Sequence, residues 1–424
     1  MGGEMTPRVL LAHSVLWPNV ARLAMAFRKA GFDVDVVALA GHPIHRMHSP
    51  NRTFEYRPMS PYSSVKEAIA ASQPDLIVPC DDRVVGHLHR LYKETSAVGS
   101  CPEMQRTASL IETSLGSPLS YHVVAKRSFL ADLARLPDVH IPQTSAIYGF
   151  RDLLDWVRAH GLPAVLKLDG STGGRDVILI RTMSDVLPCL LRMRLQKSWV
   201  RRMKSFLFDG DVEPIFAPRS FSTAQMCVQS YVTGRLANCV VACWRGDVLG
   251  WAAVEVLQRG RDFGIATVVR RVKGEAMIAA ARSIARHLKL SGIVGFDFVL
   301  DDVTQRAYLI EINPRATQIN HFPGYDSPDL ATALFCAVRS EPAVSTASQQ
   351  WKEEVALFPQ EWERDPSSKW LSTAFHDVPF EEPELVRYFG YETISRDLHL
   401  NCSERAPPGA VPPHLDVLKP GSGT

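Results

Sequence analysis

Three residues in two apolar runs of the chain, Asp297, Glu311 and Asn313, could together bind a divalent cation. The runs are joined by the polar segment 301–305, which is typical of the connection in a β-hairpin. Side chains alternate between faces along a strand, so Glu311 and Asn313 share a face. A hairpin symmetric about Thr304 places Asp297 directly opposite Glu311. Two carboxylates that close repel each other unless a cation lies between them, and hard oxygen ligands favour Mg²⁺ or Mn²⁺.

A surface hairpin with solvated charges is the alternative explanation of the same pattern. It is the weaker one, because Asp297 and Glu311 lie inside the apolar runs and not at the turn. Arg315 follows shortly after and adds a cation beside the polar groups. The hairpin therefore predicts a metal site of the kind that is usually shared with the phosphates of a substrate.

Lys167 ends a short buried-strand pattern and is followed by the glycine-rich segment 168–177. Small residues allow the backbone of such a loop to approach a ligand closely, and its N–H groups can bind phosphate oxygens. The lysine would add a point charge for a phosphate. By itself the pattern is weak, since glycine-rich hairpin loops are common and no Walker-type GxxxxGK[ST] occurs. Combined with the metal site downstream, it predicts a nucleotide site.

The elements that position these groups begin with alternating strands and helices up to about residue 110. This is the βαβ rhythm of a parallel sheet flanked by helices, and no GxGxxG dinucleotide fingerprint follows its first strand. Asp81 and Asp82 fall at the carboxyl end of a predicted parallel strand, where they could present ligand groups or cap the next helix. From Leu119 the pattern changes to a helix that carries Lys126, followed by strands and helices of mixed order.

The composition limits the class of protein. The chain has 424 residues, enough for two or three domains. Its formal charge of +2 gives no case for nucleic-acid binding, and no apolar run reaches membrane-spanning length. The eight cysteines show no CxxC pair or metal-ligand spacing, and the N-terminus lacks a signal-peptide pattern. We therefore expect a cytoplasmic protein with reduced cysteines and without nucleic-acid or membrane partners.

Together these motifs resemble the ATP-grasp superfamily over roughly residues 119–338. The hairpin, with Phe-Asp-Phe followed by Leu-Ile-Glu-Ile-Asn-Pro-Arg-Ala, is especially similar to the carbamoyl phosphate synthetase and biotin carboxylase branch. The resemblance implies an α/β fold in which a parallel, Rossmann-like domain precedes a two-lobed ATP-grasp domain. The expected domains are residues 1–112 for the first, 113–340 for the ATP-grasp domain (small lobe about 120–232, large lobe about 233–340), 341–405 for a C-terminal extension packed on the body and 406–424 for a disordered tail.

The resemblance also implies roles for individual residues. ATP would be bound by Lys126, Lys167, Gly170, Ser171, Gly173, Gly174, Gln229, Tyr231 and Val232, with the hinge around 229–232 receiving adenine. The metal ion, Mg²⁺ or Mn²⁺, would be bound by Asp297, Glu311 and Asn313. Arg315 and Lys167 would be catalytic, because they would stabilise the phosphoryl group during transfer.

The sequence departs from the family pattern at three positions. Gln229 stands where a glutamate is usual, so a neutral amide replaces an acidic anchor near the adenine. Leu236 stands near the position of an acid that commonly touches the ribose. Asp176 interrupts the usual Gly-Gly-x-Gly pattern and adds negative charge to a phosphate loop. Each departure could weaken ATP binding, whereas no metal position is lost.

The chemistry that the resemblance implies is Mg²⁺-dependent activation of a small-molecule carboxylate by ATP. The acyl phosphate that forms is then attacked by an amine or a similar nucleophile, so the expected partners are a small carboxylate and an amine. One alternative is a bicarbonate-activating enzyme of the carbamoyl phosphate synthetase or biotin carboxylase kind. A second is an ATP-binding regulatory protein without turnover. A homodimer is compatible with the sequence, and the identity of the substrates is not encoded in these motifs.

Three further polar groups have both a functional and a structural explanation. Arg270 and Arg271 could face a substrate carboxylate or lie at a solvated strand end. His321 follows the hairpin closely enough to reach the site, although a lone histidine is more often structural. The basic stretch 192–204 is interleaved with apolar residues, which favours an amphipathic helix with a solvated face over an anion-binding surface.

Overall fold

The computed structural model of the protein describes residues 6–97, 100–124, 126–169, 177–196, 225–260, 264–343 and 351–391. Within these residues the fold is built on a four-stranded parallel sheet, a four-stranded antiparallel sheet and a seven-stranded mixed sheet. The predicted α/β class, in which a parallel domain precedes two lobes, is confirmed. None of the described helices is both long and apolar enough to cross a membrane.

The N-terminal domain is a parallel sheet with the strand order β3-β2-β1-β4. Its elements are β1 (Arg8–Ala12), α1 (Asn19–Ala30), β2 (Asp33–Ala38), β3 (Arg52–Glu55), α2 (Pro61–Ser72), β4 (Leu76–Pro79), α3 (Asp82–Thr95) and α4 (Pro102–Leu115). The chain moves outward from β1 to β3 and returns to the other side of β1 for β4. Ligands of open α/β sheets bind at such a reversal, outside the carboxyl ends of the strands. Helix α3 starts there, directly after β4.

The small lobe is an antiparallel sheet with the order β5-β8-β6-β7. Its elements, with the short helix that precedes them, are α5 (Tyr121–Val124), β5 (Thr144–Ile147), α6 (Phe150–His160), β6 (Ala164–Leu168), β7 (Val177–Ile180), α7 (Val186–Gln196) and β8 (Met226–Ser230). Leu153 and Trp156 of α6 and Leu190 of α7 pack on the apolar face of this sheet. Because β6 is central, Lys167 near its end is held rigidly and is only 6% exposed.

The large lobe is the mixed sheet β13-β12-β9-β10-β11-β14-β15. Its elements are β9 (Gly234–Trp244), β10 (Asp247–Arg259), β11 (Ala266–Val272), α8 (Glu275–Leu288), β12 (Gly292–Asp301), β13 (Ala307–Asn313), α9 (Leu330–Arg339), β14 (Glu354–Ala356), α10 (Gln360–Arg364), α11 (Trp370–Thr373), β15 (Phe375–His376) and α12 (Pro383–Tyr388). Strand β14 pairs with β11, so residues 354–376 complete the sheet.

Short 3-10 helices connect these elements at Pro43–Arg46, Pro118–Ser120, Arg127–Arg135 and Met183–Asp185. The sequence pattern placed Lys126 on a helix, and this was wrong. Lys126 has extended backbone angles and is the residue before the 3-10 helix Arg127–Arg135. Lys126 is exposed, whereas Arg127, the first residue of the 3-10 helix, is buried.

The N-terminal domain and the large sheet share one apolar core, which fixes them relative to each other. Helix α1 ends at Gly31, whose φ of 106° is left-handed and favours glycine. The next residue, Phe32, packs edge to face on Phe335 of α9 with the ring centroids 5.2 Å apart. Val240 and Val254 of the large sheet belong to the same buried cluster as Phe32. The positions of α3 and of the hairpin are therefore set by a common core.

The predicted hairpin is confirmed as β12 and β13, with Asp297 opposite Glu311. Between Asp297 and the turn the register shifts by one residue, since Phe298 pairs with Leu309 and not with Ile310. Ile310 is therefore an extra residue, a β-bulge, between the two registers. Without it Asp297 would face Ile310, so the bulge is what brings the two carboxylates together. The predicted symmetry about Thr304 holds only for the pairs that lie farther from the turn than the bulge, of which Asp297–Glu311 is one.

Candidate active site

Asp297, the buried acid of the hairpin, lies between two amide side chains. Its Oδ1 accepts a hydrogen bond from Asn238 Nδ2 at 2.6 Å, and its Oδ2 accepts one from Asn313 Nδ2 at 3.2 Å. Burial and, after it, the negative charge of Glu311 raise the pKa of Asp297 to about 6. Asn238 was not identified from the sequence, although a polar residue within the apolar run of β9 was a usable signal. The carboxylate is thus held in place but remains electrostatically unfavourable without a further cation.

Glu311, the second acid, is paired with Arg127. The arginine Nη2 lies 2.5 Å from Glu311 Oε1, and the guanidinium also donates to the backbone carbonyl of Leu168. The backbone N–H of Arg127 donates to Asp169 Oδ1 at 2.9 Å. Arg127 therefore links the hairpin to the end of β6, where the glycine-rich segment begins. The sequence analysis missed Arg127, since nothing in its local pattern distinguishes it from an exposed basic residue.

Arg315 connects the hairpin to the N-terminal domain. Its Nε donates to Asp82 Oδ1 at 2.9 Å, and its Nη2 donates to Asn313 Oδ1 at 3.0 Å. The neighbouring Asp81 caps α3, because its Oδ1 accepts from the backbone N–H groups of Arg83 and Val84. The capping interpretation is therefore confirmed for Asp81, whereas Asp82 is held in an ion pair with Arg315.

Lys167 lies in the buried space between the small lobe and the hairpin. Its Nζ donates to Gln229 Oε1 at 2.7 Å and to the carbonyl of Ile310, the bulge residue, at 3.4 Å. Gln229 is held in turn, since its Nε2 donates to Thr144 Oγ1 at 3.0 Å. Burial and the nearby Arg127 lower the pKa of Lys167 to about 8. Because position 229 is a glutamine where the family pattern has a glutamate, the residue that directly accepts a hydrogen bond from Lys167 carries no negative charge.

The hinge between the lobes is open to solvent. Tyr231 is 42% exposed, and its backbone N–H donates to the carbonyl of Pro163 at 3.2 Å. Val232 is half-buried beside it. Leu236, where the family pattern has an acid, is half-buried on β9 opposite Val299. Of the predicted nucleotide-binding residues, Gly170, Ser171, Gly173 and Gly174 lie outside the described residues, as do Asp176 and the tail 406–424.

Lys126 faces a cleft between the N-terminal domain and the hairpin. Its side chain is exposed, with Nζ 5.5 Å from the centre of the Phe129 ring. The cleft has a volume of about 150 Å³. Its walls are formed by α3, by the segment around Lys126 and by the hairpin, and they include Asp82 and Glu311. The cleft therefore reaches both ion pairs of the site.

The donor set fits a hard divalent cation. Two facing carboxylates and an amide oxygen are ligands that Mg²⁺ accepts, with phosphate oxygens completing its coordination. Burial and then the charge of Glu311 raise the pKa of Asp297, so a cation placed at this carboxylate would favour its ionised form. Within the described ranges no cluster of three or more His, Cys, Asp or Glu residues is arranged for a metal. A site here would therefore rest on Asp297, Glu311 and Asn313 together with the ligand's own oxygens.

The remaining polar candidates have structural partners. Arg271 donates to the backbone carbonyls of Pro323, Gly324 and Trp351. Arg270 pairs with Glu354 at 2.8 Å across β11 and β14. The basic stretch 192–204 is described only as far as residue 196, within α7.

His321 also has a structural partner, Asp377. The histidine Nε2 lies 2.9 Å from Asp377 Oδ2, and Asp377 also accepts from Arg22 of α1 at 2.8 Å. These contacts attach the segment 351–391 to both α1 and the loop after the hairpin. We therefore assign His321 a structural role.

Comparison with known proteins agrees with this arrangement. Residues 217–318 match the family model of the ATP-grasp domain. A search of curated proteins gave no match. A solved N5-carboxyaminoimidazole ribonucleotide synthetase in complex with ADP is similar over 82% of this chain and 81% of that chain, with a TM-score of 0.55 and 13% identity. Its Thermotoga maritima counterpart is similar over 80% and 78%, with a TM-score of 0.52 and 15% identity.

A biotin carboxylase domain is similar to the same extent. It belongs to 2-oxoglutarate carboxylase of Hydrogenobacter thermophilus and was solved with MgADP, ADP and bicarbonate. The similarity covers 82% of this chain and 72% of that one, with a TM-score of 0.56 and 12% identity. Identities at this level show a common fold. Residues 217–318 are thus similar to an ATP-grasp domain, and the fold of the chain is shared with carboxyaminoimidazole ribonucleotide synthetases and a biotin carboxylase domain.

Proposed function

We propose that the protein is an ATP-dependent ligase that activates a small carboxylate as an acyl phosphate and joins it to an amine. The observation that carries the proposal is the convergence of Asp297, Glu311 and Asn313 on one face of the hairpin, with Lys167 and Arg315 on either side of them. Two acids and two cations in a site of low exposure suit a reaction in which phosphate charge moves.

The first step would transfer the γ-phosphoryl group. A carboxylate oxygen of the substrate attacks the γ-phosphorus, the bond to the β-phosphate oxygen breaks, and ADP leaves. Lys167 would donate to a phosphate oxygen in place of Gln229, and Arg315 would stabilise the transferred group. A bound Mg²⁺ would neutralise phosphate charge and orient the phosphates. Asp297, Glu311 and Asn313 would hold that ion in position.

The second step would form the new bond. The amine nitrogen attacks the carbonyl carbon of the acyl phosphate, inorganic phosphate leaves and the nitrogen loses a proton. Several buried groups around the hairpin limit access of water, which would otherwise hydrolyse the acyl phosphate. Lys167, Asn313 and Arg315 are each less than 10% exposed, which supports a protected site. The described cysteines are all free thiols, which supports a cytoplasmic location.

A bicarbonate-activating enzyme is the second candidate. It is favoured by the fold shared with a biotin carboxylase domain that was solved with bicarbonate. In that case the carboxyl group that is phosphorylated would be bicarbonate itself. The two candidates use the same ATP and metal residues and differ only in the acceptor.

Phosphate release from MgATP, measured across a panel of carboxylates and amines, tests the proposal. Release that requires two organic substrates together supports ligation. Release that requires bicarbonate supports the second candidate. Binding of ATP without turnover in any mixture would refute both and favour a regulatory protein.

A further inference from the structure

The predicted nucleotide-binding and metal-binding residues form only part of the wall of the cleft between the N-terminal domain and the hairpin. It has a volume of about 150 Å³. Most of its wall is apolar, with Val85 from α3, Val124 and Leu130 from the segments around Lys126, and Ile312 and Pro314 from the hairpin. A cavity of this size among aliphatic side chains accommodates benzene, that is, about six carbon atoms.

Gly86 of α3 lies on this cleft and has no structural reason to be glycine. Its φ is not left-handed, and a Cβ built on it would meet no other heavy atom within 4 Å. Glycine inside a helix destabilises the fold by about 0.5–1 kcal/mol relative to alanine. The protein therefore tolerates an unfavourable residue at an exposed position on the lining of the cleft. Space for a ligand explains that choice.

Both acidic side chains on the cleft wall are already in ion pairs. Asp82 is paired with Arg315, and Glu311 with Arg127. His89 stacks on Tyr121, and burial followed by the charge of Lys93 lowers its pKa to about 4, so it is neutral at neutral pH. Lys126 makes no ion pair with any residue in the described ranges. An anionic group would therefore be bound at the Lys126 end of the cleft.

We infer that this cleft is the acceptor pocket, and that it takes a monocarboxylate with a compact apolar body of up to about six carbon atoms. The carboxylate would lie towards Lys126 and Glu311, and the body would lie against Gly86, Val85 and Leu130. This inference rests on the proposed function, because the carboxylate is the group to be phosphorylated. The acceptor carboxylate must contact the γ-phosphate of ATP in order to be phosphorylated. Lys126 would therefore bind both the carboxylate and the phosphate.

Trapping with hydroxylamine tests the inference without knowledge of the natural amine. Hydroxylamine attacks the carbonyl carbon of an acyl phosphate, phosphate leaves, and a stable hydroxamate forms. The purified full chain would be incubated with MgATP, hydroxylamine and a series of acids: acetate, isobutyrate, isovalerate, 4-methylvalerate, cyclohexanecarboxylate and decanoate. We expect hydroxamate from the compact branched and cyclic acids, with decanoate excluded and acetate bound weakly.

Substitutions at Gly86 then test the position of the acid. Gly86→Ala adds one methyl group and is expected to raise the KM for cyclohexanecarboxylate more than that for isobutyrate, while the Tm rises. Gly86→Leu is expected to abolish hydroxamate formation and to leave the affinity for MgADP unchanged. Lys93→Leu, which adds a leucine to an exposed position of the same helix, is the matched control and keeps wild-type activity.

The outcomes separate this inference from the proposed function. If the wild-type chain forms hydroxamate and Gly86→Leu does too, the pocket lies elsewhere and only this inference fails. If Gly86→Leu weakens MgADP binding as much as it lowers turnover, the cleft belongs to the nucleotide, which also overturns the inference. If the wild-type chain neither binds MgADP nor forms hydroxamate with any acid, the proposed function itself fails.

Discussion

Arg127 and Glu311 form an ion pair with 2.5 Å between Nη2 and Oε1, although 184 residues separate them in the chain. The pair is largely shielded from water, since the Arg127 side chain is 8% exposed and that of Glu311 is 24% exposed. Arg127 also donates to the carbonyl of Leu168. The hairpin acid and the start of the glycine-rich segment are therefore attached to one guanidinium group.

A double-mutant cycle will measure what this pair contributes to stability. Arg127→Met leaves Glu311 next to Asp297 without a counter-ion, and we expect the free energy of unfolding to fall by about 3 kcal/mol. Adding Glu311→Gln removes the unpaired charge. The double variant should therefore be at least about 1 kcal/mol more stable than the sum of the two single-variant effects predicts. Urea titration gives all four values. Arg135→Met, an exposed arginine of the same 3-10 helix, serves as control and should cost less than about 0.5 kcal/mol. Strict additivity would show that the pair contributes nothing.

Glu311→Gln is expected to abolish turnover while the fold persists. The amide keeps the size of the side chain and can still accept from Arg127, but it supplies no charge for a metal ion. We expect a loss of at least about 100-fold in kcat/KM, with circular dichroism unchanged. Glu354→Gln is the matched control, because that carboxylate is also in an ion pair, with Arg270 at 2.8 Å, but lies at the other side of the sheet. Near-normal activity of Glu311→Gln would refute the metal assignment.

The affinity for ATP is expected to depend on the protonation of Lys167. Its pKa is lowered to about 8, so the ammonium is present below that pH and is lost as the pH rises through it. Binding of a fluorescent ADP analogue with Mg²⁺ should therefore weaken up to about tenfold over roughly pH 7–9. Gln229→Glu places a carboxylate beside the ammonium, which raises its pKa and should move the decline to higher pH. A decline of equal size in Lys167→Gln would assign the effect to another group.

Asp297→Asn is expected to stabilise the metal-free fold while it destroys metal binding. The folded-state pKa of Asp297, about 6, lies above its ordinary value of 3.8, so ionisation destabilises the fold. That penalty is absent below the unfolded pKa of 3.8, grows as the pH rises from there and is fully developed once the pH has passed about 6. One of the two amide donors, Asn238 or Asn313, would lose its acceptor, which reduces the net gain to about 1–2 kcal/mol at neutral pH.

Urea titrations at neutral pH and below about pH 4 will test the Asp297→Asn prediction. The gain in stability should be confined to the neutral sample. A loss of stability at both pH values would contradict it. Binding of Mn²⁺ in the presence of ADP, followed in the same samples, should disappear in the variant.

The hairpin was predictable because its signal is local. Alternation with a period of two residues gives the faces of β12 and β13 directly, and the polar connection between them fixes where the chain reverses. The bulge at Ile310 was not predictable, since no glycine or other special residue marks it. The prediction that Asp297 faces Glu311 was nevertheless confirmed, because the assumed symmetry about Thr304 holds beyond the bulge.

The sequence by itself determined the types of element, the acids that share a face and the family to which their spacing points. Only the tertiary structure decided that Arg127 neutralises Glu311, that Gln229 holds Lys167 and that α3 forms a cleft with the hairpin. The physical reason is the range of the interactions. Strand and helix periods come from neighbouring residues, whereas these contacts join separate lobes and depend on how the shared core positions them.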